Sequence, residues 1–348
     1  MTMRGRARPA AVLATLLLPV LLAAGLIGAR DLRQAPRQSA ARIVPDIAAP
    51  SRAGDSAQAP PTPTPWPVPA GAYFTTSPPA AEPVPPQTYF GAPPRAPLTS
   101  VAPALHDRAS ILVDLTSRRV LYENDALTPL PTASLAKLVT IQTALEYASL
   151  QTVLTVPATA TQLPSDETQM GLNAGEQLTV EELIEGVLLE SANDAALVLA
   201  QAIIPEPQFI ADMNTLVSSW GLSTATFTNP TGLDAPGEVA SAYDLAVIAA
   251  HLVAGQPELL QISDQKQIEI PQTSTHIGYQ LGSLIGPVLT GFPGADGLKT
   301  GFTDNAGYCL ALTDQRSGRT LLAIVLNSPW DIDDAQALIT YGFTVDPS

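Results

Sequence analysis

The chain has 348 residues, a formal net charge of −15 and a single cysteine. This length accommodates one large domain or two modest ones. Residues 1–106 contain nine arginines and four acidic residues, whereas residues 107–348 contain eight basic and 28 acidic residues. A C-terminal part this acidic lacks the basic patches that bind phosphate backbones, which argues against a nucleic-acid partner.

The N-terminal segment, residues 1–33, has the pattern of an export signal. Arginines at positions 4, 6 and 8 precede an apolar run from about Ala10 to Ala29. About 20 apolar residues are just enough to span a bilayer and exceed a usual signal-peptide core. We predict a signal peptide or, preferably, an uncleaved anchor in the cytoplasmic membrane, with the rest of the chain in the cell envelope outside the cytoplasm.

Proline dominates the next segment, residues 34–105, because 18 of the 34 prolines of the chain lie between residues 31 and 105. This segment has no sustained apolar periodicity, so it cannot bury enough surface to offset its chain entropy. We predict an extended, disordered linker there. Residues 106–348 have the length and the apolar content of one folded domain.

The folded part begins with a predicted β-hairpin and a helix. Ser110–Asp114 and Arg119–Glu123 flank a short polar turn, which is typical of a hairpin. After two prolines, the apolar spacing predicts a helix that starts at Thr132 or Ser134 and runs to about Tyr147.

Helices are predicted for the middle of the domain and strands for its end. The predicted helices are Val180–Leu189 with Thr179 as its N-cap, Asp194–Ile203, Pro207–Trp220 and Ser241–Val253. The predicted strands are Leu298–Phe302, Gly307–Asp314 and Arg319–Asn327, and a closing helix follows at Asp331–Gly342. A hairpin, then helices, then strands predict an α+β domain in which an antiparallel sheet is flanked by helices.

Lysine occurs only three times, and two of the three lysines lie in candidate catalytic motifs. Ser134 and Lys137 stand three positions apart at the start of a helix, so both side chains share one face. A lysine, unlike an arginine, can lose its proton in a protein, and its neutral form is a base for a serine nucleophile. The helix N-terminus and a second cation, for which Lys299 is the candidate, would each lower the pKa of Lys137.

Two further motifs accompany this pair. Lys299-Thr300-Gly301 falls on a predicted strand, and its glycine lets another part of the chain approach the strand closely. Ser191-Ala192-Asn193 interrupts a helical pattern, and taken alone it is also typical of a plain helix connector. All three motifs, in this order and each on the expected element, indicate one catalytic site.

These motifs are those of the penicillin-recognising serine enzymes, and the sequence resembles the D-alanyl-D-alanine carboxypeptidase family, the low-molecular-mass penicillin-binding proteins. The resemblance spans about residues 109–343 and includes Met170-Gly171-Leu172, Phe227-Thr228-Asn229-Pro230-Thr231-Gly232-Leu233 and Ala306-Gly307-Tyr308. It implies a penicillin-binding-protein or β-lactamase-like fold with a helical subdomain. It also implies a serine carboxypeptidase that trims the terminal D-alanine from peptidoglycan stem peptides.

The resemblance implies how the acylation chemistry is divided. Ser134 would be acylated by the carbonyl of the penultimate D-alanine, and Lys137 would be the base. Ser191 would relay a proton to the leaving amine. Asn193 would hold the substrate amide and orient Lys137. The resemblance implies no metal and no other cofactor, and it makes β-lactam antibiotics covalent inhibitors.

The resemblance further implies that the Lys-Thr-Gly strand binds substrate. Lys299 and Thr300 would bind the terminal carboxylate, with Gly301 next to them. The backbone N–H groups of Ser134 and Phe302 would form the oxyanion hole.

Two features depart from the family pattern. Many relatives carry an Asn or Arg upstream of the Lys-Thr-Gly strand, whereas residues 275–280 contain neither, so carboxylate recognition is expected to differ. Relatives often carry an additional β-rich domain and a C-terminal amphipathic anchor, whereas here the expected membrane tether is N-terminal.

Several alternatives remain open at the level of sequence. A D,D-endopeptidase that cuts peptidoglycan cross-links would use the same residues. A β-lactamase is disfavoured because no Glu-x-x-Leu-Asn stretch follows Asn193, and a non-catalytic wall-binding protein would not need the intact motifs. His106, His251 and His276 have no Gly-x-Ser-x-Gly partner, so we predict surface or linker positions for them, and for Cys309 a packed thiol.

Overall fold

The computed structural model describes residues 89–90 and 101–345. The predicted N-terminal anchor, residues 1–33, and most of the predicted linker lie outside this described part. Among the described residues, no helix combines the length and the apolar character needed to cross a membrane.

Strands and helices alternate irregularly along the described chain. The strands are β1 (Ala109–Asp114), β2 (Arg119–Asn124), β3 (Val153–Thr155), β4 (Gln177–Thr179), β5 (Gln267–Ile270), β6 (Tyr279–Gly282), β7 (Ala295–Thr303), β8 (Gly307–Arg316) and β9 (Arg319–Leu326). The α-helices are α1 (Lys137–Tyr147), α2 (Val180–Leu189), α3 (Asn193–Gln201), α4 (Glu206–Ser219), α5 (Ala242–Gly255), α6 (Glu258–Ser263), α7 (Gly286–Gly291) and α8 (Asp331–Gly342). Short 3₁₀ turns span Ala133–Ala136 and Ala158–Thr161.

A five-stranded antiparallel sheet with the order β2-β1-β9-β8-β7 organises the domain. The first hairpin therefore pairs with the last strand, so the two ends of the domain meet in the middle of the sheet. This arrangement confirms the predicted α+β architecture. Strand β7 lies at one edge of the sheet, and its outer side borders the 3₁₀ turn Ala133–Ala136.

Strand β9 is apolar on both faces because helices cover both sides of the sheet. Leu321 and Val325 pack in one cluster with Leu338 of α8. Leu322 and Ile324 point the other way, into the larger core shared with α1, α2, α3 and α5. A near-continuous apolar run is expected of a strand that is buried on both faces.

Two helices of the larger core begin with reciprocal side-chain caps. The Thr179 hydroxyl accepts from the Glu182 backbone N–H, and the Glu182 carboxylate accepts from the Thr179 N–H, which confirms Thr179 as the N-cap of α2. Ser241 and Asp244 form the same arrangement at the start of α5. Such caps satisfy backbone donors that a helix leaves unpaired at its first turn.

Most predicted elements of the domain are present, with shifted ends. The first hairpin is found within a residue of its predicted limits, and the closing helix has the predicted limits. The helix predicted from Thr132 or Ser134 is wrong at its start, because Ala133 has a φ of 49° and a 3₁₀ turn precedes α1. The short hairpin β5–β6 was not predicted, since four-residue strands of mixed exposure carry little periodicity.

Two residues inside the predicted linker pack against the domain. Phe90 is buried, with its ring edge-on to Tyr243 of α5 at a centroid distance of 5.9 Å. Tyr89 lies against His251 of the same helix, and the Arg118 guanidinium stands 5.5 Å above the Tyr89 ring. At these two positions the structure therefore differs from a disordered linker, because aromatic burial stabilises a local contact.

Candidate active site

The nucleophile candidate lies at the junction between the 3₁₀ turn and α1. Ser134 Oγ and Lys137 Nζ are 2.7 Å apart, which is hydrogen-bond distance. Ser134 is half-buried, whereas Lys137 is fully buried. The one-turn spacing seen in the sequence therefore brings the two polar atoms together.

Burial is the main reason that the pKa of Lys137 falls well below its usual value, and the nearby Lys299 ammonium lowers it further. Lys299 was expected from the sequence to lower this pKa together with the helix N-terminus, whereas desolvation is the largest cause. Glu167 and Asp194 act in the opposite direction and raise the Lys137 pKa. Desolvation disfavours the charged amine, so the site favours a lysine that can accept a proton.

Ser191 faces the same lysine from the break between α2 and α3. Its Oγ lies 3.5 Å from Lys137 Nζ, and its backbone φ of 59° is in the left-handed region. The Ser191 carbonyl accepts a hydrogen bond from Thr168 Oγ1 at 2.9 Å. The chain thus turns sharply at Ser191 and places its hydroxyl next to the base.

Asn193 is placed at the site but has a different partner from the one expected. Its Nδ2 donates to Glu167 Oε2 at 2.8 Å. Its Oδ1 is buried without a hydrogen-bond partner among the described residues. The contact expected between Asn193 and Lys137 is replaced in this structure by one to an acidic residue that the motifs did not point to.

Strand β7 closes the other side of the site with the Lys299-Thr300-Gly301 motif. Lys299 is 1% exposed, and burial lowers its pKa to about 7. Its Nζ donates to the Thr300 carbonyl at 2.8 Å. A Cβ on Gly301 would stand 3.0 Å from the Ser134 backbone nitrogen, so glycine permits the close approach that the sequence predicted.

An exposed aromatic pair borders the site beyond the motif. Phe302 is 54% exposed, and its ring centroid lies 4.6 Å from that of Tyr308 on β8. The two residues are direct partners in the β7–β8 register. The side chain of Phe302 therefore faces solvent, and its backbone belongs to the strand edge.

Sequence reasoning included Met170-Gly171-Leu172 in the resemblance but missed Glu167 in the same loop and the residue that holds this loop. The buried Asp194 carboxylate accepts from the backbone N–H groups of Met170, Gly171 and Leu172 at 2.9 to 3.0 Å. An acidic residue directly after the Ser-x-Asn motif, at a helix start, was the available hint.

The segment upstream of β7, residues 275–280, contacts Glu176 and Glu182. The Ile277 N–H and the Tyr279 hydroxyl both donate to Glu176. His276 is buried, with Nε2 3.6 Å from Glu182 Oε1, so its predicted surface position is wrong. Cys309 is buried and burial raises its pKa to about 12, which confirms a packed thiol.

Comparison with known proteins agrees with this geometry. Residues 97–329 match the sequence profile of the D-alanyl-D-alanine carboxypeptidase family. The D-alanyl-D-alanine carboxypeptidase DacC of Escherichia coli is 32% identical over 70% of this chain and 63% of its own length. For DacF of Bacillus subtilis the identity is 28% over 64% of this chain and 57% of the relative. The matches thus span somewhat less than two thirds of these curated relatives.

Solved structures show the same class of fold. Penicillin-binding protein D2 of Listeria monocytogenes, solved with ampicillin bound, is 29% identical, with a TM-score of 0.60 over 70% of this chain and 99% of that chain. The D-alanyl-D-alanine carboxypeptidase of Mycobacterium tuberculosis has a TM-score of 0.66 and 30% identity over 73% of this chain and 97% of that chain. Fold and site together define a penicillin-binding-protein-like serine hydrolase. The chain belongs to the D-alanyl-D-alanine carboxypeptidase family.

Proposed function

We propose that this protein is a serine-type D-alanyl-D-alanine carboxypeptidase that removes the terminal D-alanine from peptidoglycan stem peptides. The observation that carries the proposal is the 2.7 Å contact between Ser134 Oγ and the fully buried Lys137 Nζ. A neutral amine at this distance can take the hydroxyl proton while Ser134 attacks the carbonyl of the penultimate D-alanine.

Each remaining motif residue has a role consistent with its position. Ser191, 3.5 Å from the same amine, passes the proton to the leaving D-alanine nitrogen. Lys299 and Thr300 bind the terminal carboxylate, and a charged ammonium at Lys299 is favoured below a pH of about 7. Water then hydrolyses the ester on Ser134, so the cycle needs no added cofactor.

The free edge of β7 suits an extended peptide substrate. Within the described sheet only β8 pairs with β7, so the opposite side of the β7 backbone has no strand neighbour. An extended peptide can add to such an edge through backbone hydrogen bonds. Backbone N–H groups of Ser134 and Phe302 would then receive the developing oxyanion.

The partners and location follow from the same proposal. The substrate lies in the cell wall, so the enzyme works in the cell envelope, outside the cytoplasm. Residues 1–33 remain a predicted signal peptide or membrane anchor. β-Lactams imitate the acyl donor and would acylate Ser134.

The test measures both chemistries on the full-length chain in detergent. D-Alanine release from a pentapeptide ending in D-Ala-D-Ala is expected, together with one penicillin adduct by intact mass. Both are expected to vanish in Ser134→Ala. A penicillin adduct that persists in this variant contradicts the nucleophile, and cleavage of cross-linked dimers without D-alanine release would favour the endopeptidase.

A further inference from the structure

The loop that carries Glu167 is built onto the Ser191-Ala192-Asn193 motif. The Asn193 backbone N–H donates to the Thr168 carbonyl at 2.8 Å, and Thr168 Oγ1 donates to the Ser191 carbonyl at 2.9 Å. The next residues of the loop are held by the Asp194 carboxylate. These hydrogen bonds fix the backbone that follows Glu167 relative to the Ser191-Ala192-Asn193 motif, which borders the candidate base.

The Glu167 side chain uses this placement to hold Asn193. Glu167 Oε2 accepts from Asn193 Nδ2 at 2.8 Å, and Asn193 is 3% exposed. The other end of the amide, Oδ1, is buried and has no partner among the described residues. A carboxylate only accepts hydrogen bonds, so Glu167 must contact the NH₂ end of the Asn193 amide. The oxygen end, Oδ1, is then available to accept a hydrogen bond from another donor.

The charge of Glu167 acts on Lys137 as well. The charged groups that influence Lys137 are Lys299 on β7, Glu167 in the loop and Asp194 on α3. Burial and Lys299 lower its pKa, whereas the two carboxylates raise it. A base whose pKa falls far below the working pH is weak, so an opposing carboxylate keeps the amine effective.

We propose that Glu167 is a positioning residue of this active site: its carboxylate orients the Asn193 amide and its negative charge tunes the basicity of Lys137. The proposal rests on the proposed function for its meaning, because it assigns Lys137 the role of base toward Ser134. Glu167 does not touch the reacting atoms and acts through its two neighbours.

The small number of lysines makes a direct test practical. The full-length chain labelled with ¹³C at the lysine ε-carbon gives signals from only Lys137, Lys266 and Lys299. Each signal is followed from pH 5 to 11 in the wild type and in Glu167→Gln, which removes the charge but keeps an oxygen acceptor for Asn193. We expect the Lys137 titration to move to lower pH by about one unit, because an opposite charge is lost.

Two controls separate this effect from a general change in charge. The exposed Lys266 is the internal control, and its signal is expected to be the same in both proteins. Asp166→Asn removes the neighbouring exposed carboxylate of the same loop and is expected to leave Lys137 unchanged. An unmoved Lys137 signal in Glu167→Gln, or an equal shift in Asp166→Asn, overturns the proposal.

The rate of acylation by a fluorescent penicillin tests the hydrogen bond separately from the charge. The acidic limb of the pH–rate profile is expected to move with Lys137 in both Glu167→Gln and Glu167→Ala. The plateau is expected to fall about tenfold in Glu167→Ala but less than about threefold in Glu167→Gln, because only alanine leaves Asn193 without an acceptor.

The same profile distinguishes failure of this inference from failure of the proposed function. If penicillin does not acylate the wild-type protein at any pH, the proposed function is wrong. The lysine titration still shows whether the charge of Glu167 shifts the Lys137 pKa. Should Glu167→Ala not fold, the Gln variant alone decides. A penicillin adduct that lasts about 100-fold longer in Glu167→Gln, with Lys137 unshifted, would overturn the proposal in favour of Glu167 as the base for water.

Discussion

Two regions of the domain bury ionisable side chains in opposite ways. At the proposed active site, Lys137 and Lys299 are both buried, and among the described residues neither has a carboxylate within salt-bridge distance. At the hairpin end of β8 and β9, the buried Asp314 is paired with Arg316. The fully buried Asp114 is paired with Arg319 across the sheet.

The region with the two Asp–Arg pairs, called here the paired region, holds its charged side chains in fixed orientations. Arg316 meets Asp314 through two parallel hydrogen bonds of 2.8 and 2.7 Å, and its guanidinium lies over the rings of Phe292 and Phe343. Such bidentate pairs fix orientation and keep both groups charged. The unpaired lysines instead lose affinity for their protons, so the neutral form of Lys137, which can accept the Ser134 proton, is favoured. A buried charge that has a counter-charge therefore holds the fold in place. A buried lysine that lacks one has a lowered pKa and is available for chemistry.

Replacing Lys137 by arginine imposes a permanent charge on the active site and is expected to have the largest effect. Lys137→Arg introduces a positive charge that cannot be released as a proton, whereas burial favours the neutral form of Lys137. We expect acylation by penicillin to slow roughly 10²- to 10⁴-fold, the usual contribution of a general base. The measurement is the second-order rate of adduct formation, with the exposed Lys266→Arg as the matched control. A variant that retains more than about a tenth of the wild-type rate would exclude Lys137 as the base.

Removing one partner of an Asp–Arg pair is expected to lower the free energy of unfolding and to leave the acylation rate unchanged. Asp114→Ala removes the carboxylate that pairs with the Arg319 guanidinium. The same carboxylate accepts hydrogen bonds from the Thr116 and Ser117 backbone N–H groups, which also lose their acceptor. We expect a loss of about 3 kcal/mol in the free energy of unfolding by urea denaturation. The penicillin acylation rate of the folded protein should be unchanged. Glu123→Ala, which removes an exposed carboxylate on β2, is the control, and an equal loss there would contradict the explanation.

The buried lysines are expected to lower the free energy of unfolding by an amount that depends on pH. Replacing Lys299 by methionine removes one of these charges and so measures its cost. Burial lowers the pKa of Lys299 from 10.5 to about 7. The unfolded chain therefore binds more protons between these pH values, so wild-type stability rises across that window and the full penalty applies below it. Because methionine leaves the Thr300 carbonyl without its donor, we expect a net gain of only about 2 kcal/mol at pH 6.

The gain in Lys299→Met is expected to shrink as the pH rises above 7 and to become a loss by pH 10, because the penalty of burying the charge fades while the Thr300 carbonyl still lacks its donor. Thermal unfolding at pH 6, 8 and 10 provides the measurement, and Lys266→Met, at an exposed lysine, should show no such trend. A gain that is independent of pH would mean that packing, and not the buried charge, is responsible.

Much of the fold was accessible from the sequence because its cues are local. The capping pair Thr179 and Glu182, the two-faced apolar run of β9 and the turn-flanked first hairpin each act over a few residues, and each predicted element is present. Elements with weak local cues were missed. The start of the helix at Ser134 was misjudged because the positive φ of Ala133, beside the closely packed Gly232, depends on residues distant in sequence.

The amino-acid sequence alone identified the groups that are available for chemistry: three lysines, two of them in motifs with serine and threonine, and a family resemblance that implies their roles. The way in which the pKa values and orientations of those groups are set is a property of the tertiary structure. The tertiary structure buried Lys137 and Lys299 side by side, turned the Asn193 amide toward Glu167, and used Asp194 to hold the loop that carries this carboxylate. Desolvation and charge–charge interactions depend on distance in space, which residue spacing along the chain does not encode.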